Sequence, residues 1–362
     1  MKKVGIEAFN IKHNNTGIGY YIKSLIDSLI DIDEETEYKI YANKFVKNQL
    51  MEHNYRLYNI ENKLKEAMYK HYFMANISRK DNLDIYHGTS FYIPKHIKCR
   101  TVLTVHDLSY IKYPNAFTKS RLVYGKIFIK DSVKRADKII AVSESTKRDI
   151  INYYGIQEEK IFVTHLGARD IFKPATINEV ELIKKKYNLN KYILAVGTIE
   201  PRKNLLRLIK AFNNISSKID EEIKLVLVGK SGWKNEDIFK EIDKNSQRII
   251  FTDYITDQEL KCLYSGCELF VYPSLYEGFG LPVLEAMSCG AKVVTSNISS
   301  LPEITGNIAT LINPSDVDEI SEGILKELNN LRDKKEILKQ ANLFSWNKTA
   351  RETKSLYDLI LS

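Results

Sequence analysis

The chain has 362 residues, 44% hydrophobic and 28% charged, with a formal net charge of +8. That length exceeds one comfortable hydrophobic core and predicts two domains, and with no run of eighteen uncharged apolar residues no membrane-spanning helix is expected. Four cysteines (Cys99, Cys262, Cys267, Cys289) lack zinc-site spacing, and a chain this long needs no disulfide staples, so the expected setting is a reducing cytoplasm.

Strand-like apolar runs alternate with helical patterns from the start. Glu7 interrupts the short apolar opening, which reads as a strand over Val4–Phe9 rather than a signal peptide. A helix over Gly19–Ile30 follows, then strands at Lys39–Ala42 and Asp84–His87. Thr101–His106 precedes a helix at Ser120–Arg135, and Lys138–Val142 precedes one at Ser145–Tyr154. This βαβ rhythm predicts a parallel sheet with helices on both faces. Lys173-Pro174 and a short helical pattern at Asn178–Tyr187 mark an expected linker over 173–190, between domains at 1–172 and 191–345. The rhythm restarts at Tyr192–Val196 with Leu205–Ile215, Lys224–Val228 with Glu236–Asn245, Ile249–Thr252 with Asp257–Ser265, and Glu268–Tyr272 with Pro282–Ser288. Strands at Lys292–Ser296 and Ala309–Ile312 close the second unit, and a helix over about 347–361 ends the chain.

The first half carries the charge: residues 1–170 hold 28 Lys and Arg against 20 Asp and Glu, and residues 171–362 hold 26 of each. A basic face suits nucleic acid, an anionic membrane or a pyrophosphate-bearing substrate. Residues 119–138 place seven of these cations on an amphipathic pattern with Leu122, Val123, Ile127, Ile129 and Val133 as its apolar positions. Two readings stand: a helix resting on lipid headgroups, or a core helix with a solvated lysine-rich face. Asn15–Ile22 contains Gly17 and Gly19, which let backbone approach a diphosphate but lack the third glycine of a dinucleotide fingerprint. Thr101–Asp107 runs a strand out to His106; its position alone fits either a hydrogen-bonded structural histidine or a ligand contact. His87 and His165 also close strand-like runs and read as structural.

The second half holds the sharper chemistry. A strand opens at Gly197 into a loop ending on Arg202 and Lys203, a bidentate fork beside a point charge, suited to a diphosphate leaving group. Val228–Trp233 ends the next strand with two glycines and is expected to border the same cleft. Glu277 and Glu285 stand eight apart in Tyr276–Met287, where Gly278 and Gly280 permit unusual backbone angles and Pro282 suits a helix start. Glu285 is expected on the first helical turn and Glu277 on the loop before it, both beside a phosphate-ready helix end. Without a ligand, the same segment reads as an ordinary strand-turn-helix.

The Glu-x7-Glu segment resembles the signature of retaining glycosyltransferases of the GT-B fold, in particular glycosyltransferase family 4, and Gly-x-x-x-x-Arg-Lys-Asn from Gly197 to Asn204 resembles that family's diphosphate clamp. The likeness extends through Gly17, Gly19 and His106 over nearly the whole chain, although Tyr20 stands where the family loop commonly has Arg. It implies two Rossmann-like doubly wound domains facing one cleft, with the helix of about 346–362 crossing back onto the first. It implies a hexosyltransferase, with mannose from GDP-mannose favoured, acting on a glycan or lipid-pyrophosphate-linked acceptor in surface polysaccharide synthesis at the cytoplasmic membrane face. Glu285 is assigned to the ribose; Arg202 and Lys203, with the backbone at Gly17, Gly19 and Gly197, to the diphosphate. Glu277 with the Gly278, Phe279, Gly280 and Leu281 backbone goes to the donor sugar, Tyr254 and Ile255 to the base, and His106 beside the transferred sugar. No cofactor, essential metal or nucleic acid is expected. The alternatives are another GT-B sugar-nucleotide enzyme, an epimerase or phosphorylase, and a non-catalytic carbohydrate-binding subunit.

Overall fold

The structure, a computed structural model, describes residues 1–11, 17–43, 55–58, 73–232, 236–244 and 247–362. The chain divides into two compact units: Met1–Gly167 together with Ser345–Ser362, and Ala168–Phe344.

Among the described residues the first unit contains a parallel sheet of seven strands: β1 (Lys2–Glu7), β2 (Thr36–Asn43), β3 (Tyr55–Tyr58), β4 (Ile85–Gly88), β5 (Arg100–Val105), β6 (Lys138–Ala141) and β7 (Ile161–Val163). Their order is β3-β2-β1-β4-β5-β6-β7. Val4 pairs with Ile85, and Val102 with Lys138. The central strands are nearly continuous apolar runs because helices cover both faces. The order reverses between β1 and β4, so the crevice at the carboxyl ends of those two strands is where such a sheet accepts ligands.

The second unit repeats the plan with β8 (Lys191–Val196), β9 (Ile223–Val228), β10 (Ile249–Phe251), β11 (Leu269–Tyr272), β12 (Val293–Ser296) and β13 (Thr310–Ile312), in the order β10-β9-β8-β11-β12-β13. Its reversal lies between β8 and β11, which pair through Leu269 and Ile193. The core beneath them joins Leu208, Ile209 and Phe212 of the helix Leu205–Ile215 to Ile193, Leu225, Leu269 and Ile324.

Three elements depart from expectation. The stretch read as a linker, 173–190, is part of the second unit: Thr176 and Glu179 form a capping box that starts the helix Ile177–Lys186, whose Ile183 is buried. That helix packs so closely on Asp257–Gly266 that a Cβ on Gly266 would lie 2.5 Å from Val180, and Lys261 bonds Glu179 at 3.1 Å. The expected continuous helix over 120–135 is interrupted by a π-helical turn at Gly125–Ile129, where Gly125 leaves room for the Tyr110 ring; a Cβ there would sit 2.6 Å from it. Its apolar positions consequently split, with Ile129 and Val133 buried and Val123 and Ile127 each 56% exposed. Helices Val317–Leu328 and Lys334–Ala341 were not anticipated; each starts at an aspartate cap, Asp316 and Asp333.

The last helix, Trp346–Leu361, packs within the first unit against the helix Gly17–Ile32. Tyr357 reaches His87 Nδ1 at 2.6 Å, Thr349 donates to the His165 carbonyl at 2.6 Å, and Lys2 pairs with Asp358. Burial holds the His87 ring near a pKa of about 3, so it is neutral and structural. No helix among the described residues is long and apolar enough to cross a membrane.

Candidate functional site

The second unit's switch point is built by two strand ends. β8 runs into Gly197, whose φ of +147° only glycine adopts freely, and the chain then makes a 3-10 turn at Pro201–Lys203. A Cβ at Gly197 would lie 3.4 Å from the Lys203 side chain, an ordinary contact, so it is the backbone angle that calls for glycine here. Asn204 fixes the turn, with φ +62° and an amide that donates to the carbonyls of Pro273 at 3.0 Å and Pro314 at 2.6 Å. The asparagine of the Arg-Lys-Asn run is therefore a brace between two loops rather than a ligand group.

β11 delivers Tyr272, Ser274 and Glu277. Oε1 of Glu277 accepts from Lys203 Nζ at 2.6 Å, Ser274 at 2.6 Å and Tyr272 at 3.0 Å, and lies 2.9 Å from Arg202 Nη1. Burial raises the carboxyl's pKa, but the two cations and these donors outweigh it and hold it at about 2. Oε2 has no partner among the described residues. Lys203 spends two N–H groups, on Glu277 and on Tyr272 at 2.5 Å, leaving the third without a partner among the described residues. Burial lowers the Lys203 pKa while the adjacent carboxylate opposes that shift. Arg202 is committed more deeply, to Glu200 at 2.7 Å and the Tyr276 carbonyl at 2.7 Å. Ser299, itself at φ +62°, accepts from the Glu277 N–H at 2.9 Å and fixes the loop.

Glu285 stands differently from the expectation. The helix spans Leu281–Ser288, so Glu285 is its fifth residue and lies on the second turn, and it meets neither Arg202 nor Lys203. Its Oε1 pairs with Arg169, at 3.2 Å from Nε and 3.1 Å from Nη2, and Arg169 also reaches Asp257 at 2.6 Å. Burial pushes the Glu285 pKa up to about 7 against the pull of Arg169. Here too Oε2 has no partner among the described residues.

Gly280 caps that helix at φ +113°; a Cβ there would strike Leu301 at 2.7 Å. Gly278 and Leu281 are partly exposed and Phe279 is buried. At the neighbouring strand ends Gly229 takes φ +149°, and a Cβ on it would meet the Gly197 carbonyl oxygen at 2.1 Å, so the two loops touch because residue 229 is glycine. Gly229 N–H bonds Asp253, which brings Tyr254 and Ile255 beside these loops; Tyr254 is exposed with Lys230 over its ring at 4.6 Å, and Ile255 is buried. Trp233, the end of the glycine-bearing run from Val228, lies outside the described residues, as do Asn15 and Thr16 of the first glycine loop.

The remaining predicted residues belong to the first unit. Gly17 and Gly19 are the first and third residues of the helix Gly17–Ile32, part of its first turn rather than of a loop before it. His106 is buried between Tyr21, ring centroids 4.7 Å apart, and Phe91, 5.3 Å. Burial lowers its pKa, and Nε2 lies 2.8 Å from the Thr89 carbonyl, which only accepts, so the neutral ring carries its proton there. That N–H is thus spent on Thr89, and what His106 offers is Nδ1, an acceptor without a partner among the described residues. Sequence reasoning missed the buried carboxylate at this switch point: Glu7, ending β1, accepts from Ser90 at 2.6 Å and Thr89 at 3.2 Å, with Asn10 on Ser90 at 2.7 Å. It also missed Tyr272, Ser274, Ser299 and Arg169, whose sole signal was position after a strand or at a unit's edge. Among the described residues no three His, Cys, Asp or Glu converge to hold a metal.

Comparison with known proteins accounts for both units. The family model for glycosyl transferases group 1 matches residues 179–343, and the model for glycosyltransferase family 4 matches 17–169. O-antigen chain mannosyltransferase B of Escherichia coli is 32% identical over 97% of this chain and 98% of its own length. Serotype-specific mannosyltransferase WbdA of the same species is 34% identical over 70% of this chain, which spans 33% of that longer protein. Among solved structures, a glycosyltransferase from Rickettsia africae ESF-5 superposes with a TM-score of 0.77 over 100% of this chain and 99% of that one, at 18% identity.

Proposed function

This chain belongs to glycosyltransferase family 4 of the group 1 glycosyl transferases and has the GT-B fold, and from that membership we propose that it transfers mannose from GDP-mannose to a growing surface glycan with retention of anomeric configuration. Similarity to O-antigen mannosyltransferases supports the sugar and the product class. The observation that carries the chemistry is that Glu277 and Glu285 each anchor one oxygen on protein cations and keep Oε2 open, while Lys203 keeps one N–H.

Glu277 Oε2 takes the donor sugar's hydroxyls; four donors on Oε1 keep this carboxylate ionised and oriented before substrate arrives, and Gly278 to Leu281 bring backbone beside the same sugar. Lys203 and Arg202 meet the diphosphate beside Gly197 as negative charge grows on the leaving oxygen. Glu285 Oε2 accepts the ribose hydroxyls, and Tyr254 and Ile255 border the base. The leaving phosphate oxygen takes the proton of the acceptor hydroxyl, which attacks from the same face. The first unit serves the acceptor, with His106 Nδ1 accepting a hydrogen bond from a sugar hydroxyl, and its Gly17 and Gly19 offer backbone to a diphosphate. Cationic side chains supply the charge a divalent metal supplies elsewhere, so EDTA leaves turnover intact. Val123 and Ile127, exposed among Lys119, Lys126, Lys130 and Lys134, support peripheral contact with an anionic membrane carrying a lipid-pyrophosphate-linked acceptor.

The test is nucleotide release from a panel of sugar nucleotides with lipid-linked and soluble glycan acceptors. GDP-mannose turnover that is lost in Lys203→Ala and Glu277→Gln is the expected outcome; turnover of another donor, or undiminished turnover in both variants, contradicts the proposal.

A further inference from the structure

Arg169 lies two residues past Gly167, where the chain leaves the first unit, and it joins three segments of the second. Its Nη1 bonds Asp257, the first residue of the helix Asp257–Gly266, at 2.6 Å. Nε and Nη2 both address Glu285 Oε1, at 3.2 and 3.1 Å, and the guanidinium carbon sits 4.5 Å over the Phe172 ring, which meets Tyr264 edge-on. With its side chain only 15% exposed, the arginine is held by a carboxylate on each side and an aromatic face below. Such a planar fork fixes a carboxylate's orientation, not merely its charge.

We propose that Arg169 is a positioning residue for donor binding: it holds Glu285 ionised and turned so that Oε2 faces the two ribose hydroxyls of the nucleoside diphosphate. The inference rests on the reading that Glu285 takes the ribose. Its physical basis is the contrast between the two acidic residues of the site. Glu277 has Arg202, Lys203, Tyr272 and Ser274 around one oxygen, whereas among the described residues Glu285 has one cation to offset deep burial. The other titratable groups facing Glu285 do not help: Asp257 repels its charge, and Tyr264 and Cys289 are themselves pushed up by burial, Cys289 to about 12. Ionisation of Glu285 at neutral pH therefore depends on Arg169, and removing the cation leaves a buried carboxylate that takes up a proton.

The consequence is readable in GDP binding. In the wild type, affinity for GDP rises through about pH 7 as Glu285 ionises. In Arg169→Met the same rise moves to higher pH, because the stabilising cation is gone; GDP binds about tenfold more weakly at pH 7 and recovers toward pH 9, the loss of about one charge-assisted hydrogen bond. Arg169→Lys retains the charge, so its pH profile stays near that of the wild type, but without the planar fork it recovers the pH 7 affinity only in part. The 2′,3′-dideoxy analogue of GDP, which has no ribose hydroxyls, binds wild type and Arg169→Met alike, and this equality shows that the variant is folded. Calorimetric titration of both nucleotides from pH 6 to 9, with Glu285→Gln alongside, decides the matter. Weakening by Glu285→Gln confined to GDP secures the ribose reading, and the displaced pH profile of Arg169→Met then secures the positioning role. If Glu285→Gln leaves GDP binding unchanged, the ribose reading falls and the proposal with it. If Glu285→Gln weakens GDP but Arg169→Met binds both nucleotides as wild type does, or weakens both equally with no shift of profile, the positioning role alone is overturned.

Discussion

The two units solve the same topological problem with different partners. Each sheet reverses order beside its first strand, and each places a buried carboxylate at that switch point. In the second unit Glu277 is ringed by Arg202 and Lys203. In the first, Glu7 accepts from the hydroxyls of Ser90 and Thr89 and from the Phe9 N–H, and the neighbouring histidine is neutral. A crevice with two cations suits a diphosphate that gains charge on departure, whereas a carboxylate set among hydroxyls suits hydrogen bonds with the hydroxyl groups of a sugar. On the proposed function, the residues at the strand ends adapt one fold to two kinds of ligand.

Disrupting the charged crevice is expected to have the largest effect. Lys203→Ala removes the cation proposed to meet the leaving group and is expected to lower kcat/KM by about 10²- to 10³-fold in steady-state kinetics. His106→Ala, in the first unit, is expected to lower kcat/KM by about tenfold if it serves the acceptor as proposed and to leave GDP affinity unchanged; a comparable loss of GDP affinity in both variants would erase the contrast between the units.

Thermal unfolding sharpens the contrast within the second unit. The folded-state pKa of Glu277, about 2, lies below the ordinary 4.5, so its ionisation contributes stability that is fully present above pH 4.5 and lost as pH falls through 2. Glu285, raised to about 7, has the opposite sign: its ionisation costs stability increasingly from pH 4.5 to 7, and fully above that. At pH 8, Glu277→Gln is therefore expected to lower stability by about 2 kcal/mol, while Glu285→Gln raises the melting temperature. A lower melting temperature in both variants would contradict the assigned burial of Glu285.

Smaller effects are expected away from the crevices. Tyr357→Phe removes the hydroxyl from His87 and destabilises the first unit by about 1 kcal/mol in denaturant unfolding, leaving GDP affinity unchanged. Ile127→Asp has the mildest effect on turnover of a soluble acceptor, yet reduces cosedimentation with vesicles containing anionic lipid.

Much of this architecture was legible because it follows from local rules. The apolar period located the core strands, and the helix Leu205–Ile215 falls where its apolar spacing predicts. Glycines at 197, 229 and 280 occupy backbone angles that other residues avoid. What escaped was set by tertiary contact. At the π turn Gly125 accommodates the Tyr110 ring, and the helix expected at 178–187 belongs to the second unit rather than to a linker, with Val180 packed over Gly266. Arg169 was invisible as a site residue because no local motif surrounds it; its partners lie 88 and 116 positions away. The two glutamates were recognised as a pair, but the turn of helix carrying Glu285, and hence its separate cation, depended on Gly280 acting as the cap one residue before Leu281.

The most direct test of the central claim is the affinity of GDP for the wild type, Lys203→Ala and His106→Ala, measured by calorimetry at pH 8. A charged donor crevice in the second unit predicts that Lys203→Ala weakens GDP at least tenfold while His106→Ala binds it as the wild type does. Unchanged GDP affinity in Lys203→Ala, with a loss in His106→Ala, would contradict it.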